Sequence, residues 1–402
     1  MTTLVASPRL SLSPRAMTLY AATAAVSFSA TSSAPTPLYH VYQETLGLSP
    51  LWVTVIFASY AFAMLAAFLT VARLSDYIGR KPMIFAALAL NAVALLVFIT
   101  AGNAPELVLA RVIQGVATGI GMTTLGAAIL DTDKVNGSLY NSVTAFIGLM
   151  LGSLVGGALV AWAPLPTQLI YMVLLVVTLA EIAMLTIAPE TSTTRPGALD
   201  ALKPHVTVPK AVVPVMLKLL PLNVAGWALG GFYLSLMPTL VAVATRISSP
   251  FVGSAVVSSL MLTAAVVVFA LRKLPPVRLL TIGMSGLGLG IAVTLGGLAL
   301  QSAPVMILGT VIAGVGFGTS YAGNLRTLLP LAAEHERAGL LAAYFVVSYV
   351  SFAVPSIAAG LLAPVLGLVV TAYLYLSVLI GLIALSFAAT RQPAKPARAM
   401  EI

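Results

Sequence analysis

Four ionisable side chains, Arg73, Asp76, Arg80 and Lys81, fall within nine positions of a chain in which Asp, Glu, Lys and Arg make up only 8% of the residues. The carboxylate of Asp76 can accept from a guanidinium or from the bare N–H groups of a helix start, and Gly79 allows the tight turn such a cluster needs. Arg111 and Gln114 stand about one helical turn apart inside an apolar run. A guanidinium at membrane depth costs about 2 kcal/mol or more unless paired or hydrated. Such a charge is functional by default; the alternative is snorkelling to the surface, since Pro105 lies only six residues earlier. Glu181 is the one carboxylate set plainly inside an apolar run, and His40 ends another. A buried carboxyl can hold a proton or a structural partner. An imidazole titrates near neutrality, although a lone His in an end turn is more simply a solvated one.

Several chemistries are excluded. The chain has no Cys, so thiol catalysis, disulfides and Cys-based metal sites are out. No G-x-x-x-x-G-K-[ST] loop occurs, and three scattered His with eleven acids form no cluster at a helix end. No enzyme activity, metal or cofactor is expected.

These residues must be positioned by a bilayer-embedded frame. The chain is 60% hydrophobic with a mean hydropathy of +1.06, and crossing the hydrocarbon takes roughly 20 apolar residues as a helix. Twelve such runs are marked, near 17–38, 51–72, 83–101, 105–129, 141–163, 167–188, 219–243, 250–271, 279–300, 304–328, 338–362 and 365–389. In lipid the backbone must satisfy itself within each segment, so the runs predict helices. They are too long for barrel strands and lack two-residue alternation.

With the N-terminus inside, eighteen of the twenty Lys and Arg fall at cytoplasmic positions, including Arg9, Arg80, Lys134, Lys218, Arg326, Lys395 and Arg398. Only Arg246 lies in an outer loop. The positive-inside rule then places both termini in the cytoplasm and accounts for the net charge of +9 without nucleic acid. The first run lacks a cleavage pattern and reads as a retained helix.

The sequence repeats itself at an offset of 199 residues. Ala104-Pro105 matches Ala303-Pro304, and Leu109, Val112, Ile113, Gly115, Val116 and Gly119 match Leu308, Val311, Ile312, Gly314, Val315 and Gly318. The expected organisation is a cytoplasmic tail over 1–16, a six-helix bundle over 17–188, a solvated linker over 189–212, a second bundle over 213–390 and a tail over 391–402. The second copy of the charged loop, Leu271 to Leu279, keeps basic charge but no Asp or Gly.

The segment Ala72-Arg-Leu-Ser-Asp-Tyr-Ile-Gly-Arg-Lys81 resembles the G-x-L-x-D-x-x-G-R-K loop of the major facilitator superfamily, with Ala72 replacing the first Gly. The resemblance implies an all-α membrane protein, with twelve transmembrane helices in two pseudo-symmetric six-helix bundles and cytoplasmic termini. It also implies a gate in which Asp76, Gly79, Arg80 and Lys81 latch one state, Asp76 facing the start of the eleventh span and Arg80 pairing with Asp131. Arg111-Val-Ile-Gln114-Gly115 is similar to the R-x-x-Q-G signature, whose Arg is linked with proton transfer. Gly148, Gly152, Gly156 and Gly157 resemble the antiporter signature G-x-x-x-G-P-x-x-G-G, with Ser153 in place of Pro; small residues at this spacing also serve plain helix packing. Pro189-Glu190-Thr191 and Glu334-His-Glu-Arg337-Ala-Gly339 look like the family's endings of helix 6 and the loop before helix 11.

In that fold the cavity-lining candidates are Gln114, Thr118, Asn223, Trp227, Tyr233, Tyr321, Asn324, Arg326, Tyr344 and Tyr349, a set suited to an amphipathic or weakly polar solute. Glu181 would lie peripheral to the cavity, which favours a structural role. The first span has no acid where proton-coupled drug exporters often carry one. The expectation is a monomeric secondary transporter of the inner membrane, resembling the drug/proton antiporters and exporting small organic molecules by alternating access in exchange for protons, with a small-molecule substrate, a proton and the lipid bilayer as partners. The alternatives are an importer or facilitator and, from a different class, a transport-inactive sensor or scaffold.

Overall fold

The computed structural model describes residues 12–391 apart from 72 and 248. Ala72 of the charged loop, most of both tails, and with them Arg9, Lys395 and Arg398, lie outside the described residues. Among the described residues the chain is helical and carries no strand. The first half holds α1 (Pro14–Ser33), α2 (Leu38–Leu46), α3 (Pro50–Thr70), the short α4 (Ser75–Ile78), α5 (Arg80–Thr100), α6 (Ala104–Thr132), α7 (Gly137–Trp162) and α8 (Leu169–Leu185). After α9 (Ala198–Ala201) come α10 (Val213–Ser235), α11 (Met237–Thr245), α12 (Pro250–Ala270), α13 (Pro276–Ala299), α14 (Ala303–Leu328), α15 (Arg337–Leu366) and α16 (Leu368–Arg391).

Ten of these helices are long and apolar enough to cross a membrane, so the protein is a multi-pass integral membrane protein. Twelve runs were expected. The two that fall short do so for visible reasons. The first run does not stay one helix: Pro35 and Pro37 lack the N–H that a helix interior needs, and the chain turns between α1 and α2. What remains in α1 is rich in Ser and Thr. The sixth, α8, is apolar but only 17 residues long.

The seventh run breaks in the same way, between α10 and α11 just before Pro238. The two breaks obey the sequence repeat. α2 and α11 are both nine residues long, start 199 residues apart, and end on a left-handed residue, Gly47 at φ 65° and Arg246 at φ 59°.

Within the first half α6 packs on α3, α5 and α1, while α8 lies against α5. Within the second half α14 packs on α13 and α12, and α10 on α15 and α16. The halves meet mainly along α3–α15 and α7–α12. Aromatic pairs mark the first seam, Phe57 with Phe352 at 4.8 Å and Phe68 with Phe345 at 5.0 Å. The end of the molecule that carries Arg80, Lys81 and Lys134 is called the basic end below, and the opposite one the far end. At the far end Thr36 donates to the Leu234 carbonyl at 3.0 Å and Thr239 to Gln43 at 3.1 Å, joining the two broken helices.

Candidate functional site

At the basic end, Gly79 takes φ 102° and ψ 156°, a conformation open to glycine alone, and so turns α4 sharply into α5. That turn buries the Arg80 guanidinium at the centre of a cluster. Its Nε donates to Asp131 at 3.1 Å, and its Nη1 donates to Ser75 at 2.7 Å and to Asp76. The N–H groups of Arg80 and Lys81, bare at the start of α5, donate to the two oxygens of Glu190 at 2.7 and 3.0 Å. Glu190 also accepts from the backbone of Thr191 and Ser192. The Lys81 ammonium donates to the Thr186 and Ala188 carbonyls just beyond the end of α8, both at 2.9 Å.

Asp76 does not meet the start of α15 in this conformation. Among the described residues its side chain is bound to Arg80 alone. The linker lies against that start instead: Thr207 donates to the Gly339 carbonyl at 3.3 Å.

Midway along the first half, Arg111 of α6 is 1% exposed. Its guanidinium donates to the Ser32 carbonyl at 2.8 Å, to Gln114 at 2.6 Å and to the Tyr39 hydroxyl at 2.8 Å. It also lies over the Tyr60 ring, 4.8 Å from its centre. No carboxylate pairs with it among the described residues, and its Nε has no partner. Snorkelling is thereby replaced by burial. Gln114 closes the node by donating to the Thr31 carbonyl at 2.9 Å, and Thr118 bonds back to its own helix. His40 pairs with Glu44 at 3.4 Å near the far end.

The second half offers an aromatic wall. Trp227 of α10 stands 5.2 Å from Tyr349 and 5.9 Å from Phe352, and Phe345 joins Tyr344 at 5.5 Å. Polar groups are set into this wall. Asn223 donates to Ser348 at 3.1 Å, and the buried Tyr344 hydroxyl lies among Trp227, Asn324 and Ser348. Tyr60 and Tyr349 both donate to the Met64 sulfur at 3.3 Å, so the Arg111 node and the wall are joined across the seam. Tyr321 reaches across to Phe146 of α7, edge to face at 5.6 Å.

Two of the cavity candidates stand elsewhere. Tyr233 points into the interior of the second half, against Thr310 at 2.9 Å and Thr294 at 3.4 Å. Arg326 is exposed at the basic end and donates to the Arg272 carbonyl at 2.9 Å. The glycine stripe packs helices: a Cβ on Gly148 or Gly152 would strike the Val26 or Ala30 carbonyl of α1, and Gly156 lies over Ala34 and Pro37. Gly157 faces Ser254 of α12, on the seam.

The family model of the major facilitator superfamily matches residues 19–354, spanning both halves and every cluster above. The chain belongs to the major facilitator superfamily. Members of this superfamily are membrane transporters and not enzymes. Among curated relatives, the major facilitator superfamily multidrug transporter mfsB of Aspergillus fumigatus is 34% identical over 113 residues, 27% of this chain and 19% of that protein. The putative multidrug resistance protein MdtD of Salmonella dublin is 31% identical over 124 residues, 30% of this chain and 26% of that protein. The match therefore spans about a fifth to a quarter of these relatives' length. In fold, the E. coli xylose transporter XylE in its inward-open conformation has a TM-score of 0.75 at 14% identity, covering 96% of this chain and 98% of that one. The nucleoside transporter NupG gives 0.67 at 12% identity, covering 94% and 100%.

Several residues of this superfamily member's clusters were not singled out from sequence as site residues. Glu190 was noted only as part of a helix ending, although a carboxylate just past an apolar run is a ready cap for a neighbouring helix start. Tyr60 and Met64 form a site face at a four-residue spacing that a Met- and aromatic-rich apolar run hides. Ser32 and Ser348 act through a carbonyl and a short hydroxyl, which leave no charge pattern to read.

Proposed function

We propose that the protein is a secondary transporter that exports small, amphipathic or weakly polar organic molecules in exchange for protons, by alternating access between its two halves. The observation that carries this is the Arg111 node. A guanidinium buried in an apolar bundle without a carboxylate partner is costly and is functional by default in a membrane. Here it is connected through Tyr60, Met64 and Tyr349 to the Trp227 wall of the other half. A solute held between them would touch both halves, as alternation requires. The few polar groups of the wall, Asn324 and Tyr344 with Asn223 and Ser348, would orient a solute whose bulk rests on aromatic rings.

The multidrug names of the relatives support export. In this reading α1 and α8 complete twelve crossings, the basic end faces the cytoplasm in an inner membrane, and the monomer is the working unit. The bundles span 17–188 and 213–390, with 189–212 as the linker. Asp76, Arg80, Lys81, Gly79 and Asp131 form the gate, and Gly148, Gly152, Gly156 and Gly157 hold α7 against its neighbours.

The test is purified protein in liposomes containing a trapped pH-sensitive dye, with gradients of a panel of amphipathic and polar solutes imposed. Proton movement that depends on an aromatic, weakly polar solute, and that falls in Asp76→Asn, is the expected result. Solute flux with no proton movement would replace antiport by facilitation. Silence of correctly folded protein across the panel would overturn the export reading.

A further inference from the structure

Proton exchange needs a group that binds the proton inside the membrane, and the first span offers no acid for it. Of the eleven acidic residues, only Glu181 sits within the apolar body of a helix. It lies on α8, 5% exposed, facing Tyr20 and Ser27 of α1 among apolar residues of the first half. Among the described residues no cation pairs with its carboxyl. The Ser27 hydroxyl faces the carboxyl from α1 and is the side chain placed to hydrogen-bond to it. Tyr20 gives its hydroxyl to the backbone carbonyl of Glu181 at 3.1 Å and not to the carboxyl. A glutamate retained for packing would be paired with a cation or held by several donors; this one faces a single serine hydroxyl.

We infer that Glu181 is the carboxyl that takes up and releases the transported proton, an inference that rests on the antiport reading above. In the conformation described, an ionised carboxylate here would be a charge without a cation beside it in an apolar interior. Release is R–COOH to R–COO⁻ and H⁺ and needs no other reactant, only water or a cation brought to the α1–α8 seam. A groove of about 440 Å³ at the basic end, lined in part by Lys81, Ile182, Leu185 and Glu190, reaches the turn of α8 that follows Glu181.

On the helices packed against α8 no other carboxyl or imidazole competes for the proton. The helices packed on α8 are α1, α5 and α7. Their ionisable residues are Arg15 and Tyr20, Arg80 and Lys81, and Tyr140; none is a carboxylate or an imidazole. Arg80 and Lys81 are already engaged with Asp76, Asp131 and the chain following α8.

α1 supplies the link to the solute. It carries Tyr20 and Ser27 toward Glu181, while its Thr31 and Ser32 carbonyls hold Gln114 and Arg111. Hydrating or shifting α1 to admit the charge on Glu181 moves the carbonyls that hold the guanidinium.

Two measurements on the full chain test this. Infrared difference spectra of the protein in lipid discs, taken across a pH titration, should contain the C=O stretch of a protonated carboxyl that disappears in Glu181→Gln and shifts in Glu181→Asp. In liposomes, with ethidium as an amphipathic aromatic probe, an imposed pH gradient should drive ethidium accumulation in the wild type and in Glu181→Asp. In Glu181→Gln it should not, although ethidium exchange without a gradient persists and shows that the variant is folded. Gradient-driven accumulation in Glu181→Gln equal to wild type, or a titrating carboxyl band unchanged in that variant, overturns the assignment and leaves antiport standing. Wild-type ethidium movement that is indifferent to the gradient overturns antiport itself, and this assignment with it.

Discussion

Glu190 shows how one side chain can hold two segments at once. Its two oxygens close the start of α5, and the same carboxylate accepts from the chain that leaves α8. A negative charge at a helix start satisfies bare N–H groups and complements the macrodipole. Glu190→Gln keeps the shape but loses the charge and half of the acceptor capacity. We expect it to lower stability by about 1 kcal/mol, the usual value of a lost cap, as a reduced thermal midpoint, with transport falling further than stability because Arg80 and Lys81 lose their anchor. Unchanged transport in Glu190→Gln would leave the carboxylate as a cap only. At this scale the sequence was only partly legible. The charged loop announced itself by composition, whereas Glu190 works on backbone groups about a hundred residues away, which no local pattern reveals. The Arg80–Asp131 contact was accessible only through the resemblance, because nothing in the spacing of the two residues points to it. Tyr233 misled for a different reason: a tyrosine on a span reads the same whether its hydroxyl meets a cavity or two buried threonines.

Among the elements, α1 is the one on which most of the site depends. It packs on α6 and α7, faces α8 through Tyr20 and Ser27, and offers carbonyls to Arg111 and Gln114. Its low apolar content follows from these duties. Ser and Thr permit close packing and bond back to the helix, as Thr31 and Ser32 do to Ser27 and Phe28. The closeness is set by α7, whose Gly152 sits on the Ala30 carbonyl with no room for a methyl group. Gly152→Ala therefore forces the helices apart, at a cost of about 1–3 kcal/mol. The checks are a lowered melting temperature in detergent and weakened transport in whatever folds. A neutral result would mean that α1 and α7 already part easily, and the stripe would not be a packing device. The helical runs themselves were legible because a bilayer demands long apolar stretches. The breaks at 34–37 and at Leu236 were not, since Pro35, Pro37 and Pro238 lie near span ends where proline is unremarkable in membrane helices.

For the whole molecule, the decisive question is what must separate when the halves rock. The seams α3–α15 and α7–α12 are long, and the first runs along the aromatic wall. The far end carries in addition the Thr36–Leu234 and Gln43–Thr239 hydrogen bonds between the two broken helices. At the basic end Asp76 is turned inward onto Arg80, and the linker, not the charged loop, meets the start of α15. The far end is thus tied in this conformation, and the alternating access proposed above requires these bonds to break. Because the chain has no cysteine, a single introduced pair reports cleanly. With Gln43→Cys and Thr239→Cys together, whose parent side chains lie in hydrogen-bond contact, a short thiol-reactive cross-linker should reduce transport to background, and cleavage of the linker should restore it. Each single variant treated in the same way should transport normally. Full transport by the cross-linked protein would mean that α2 and α11 never part, and alternation would then have to be sought within the halves rather than between them.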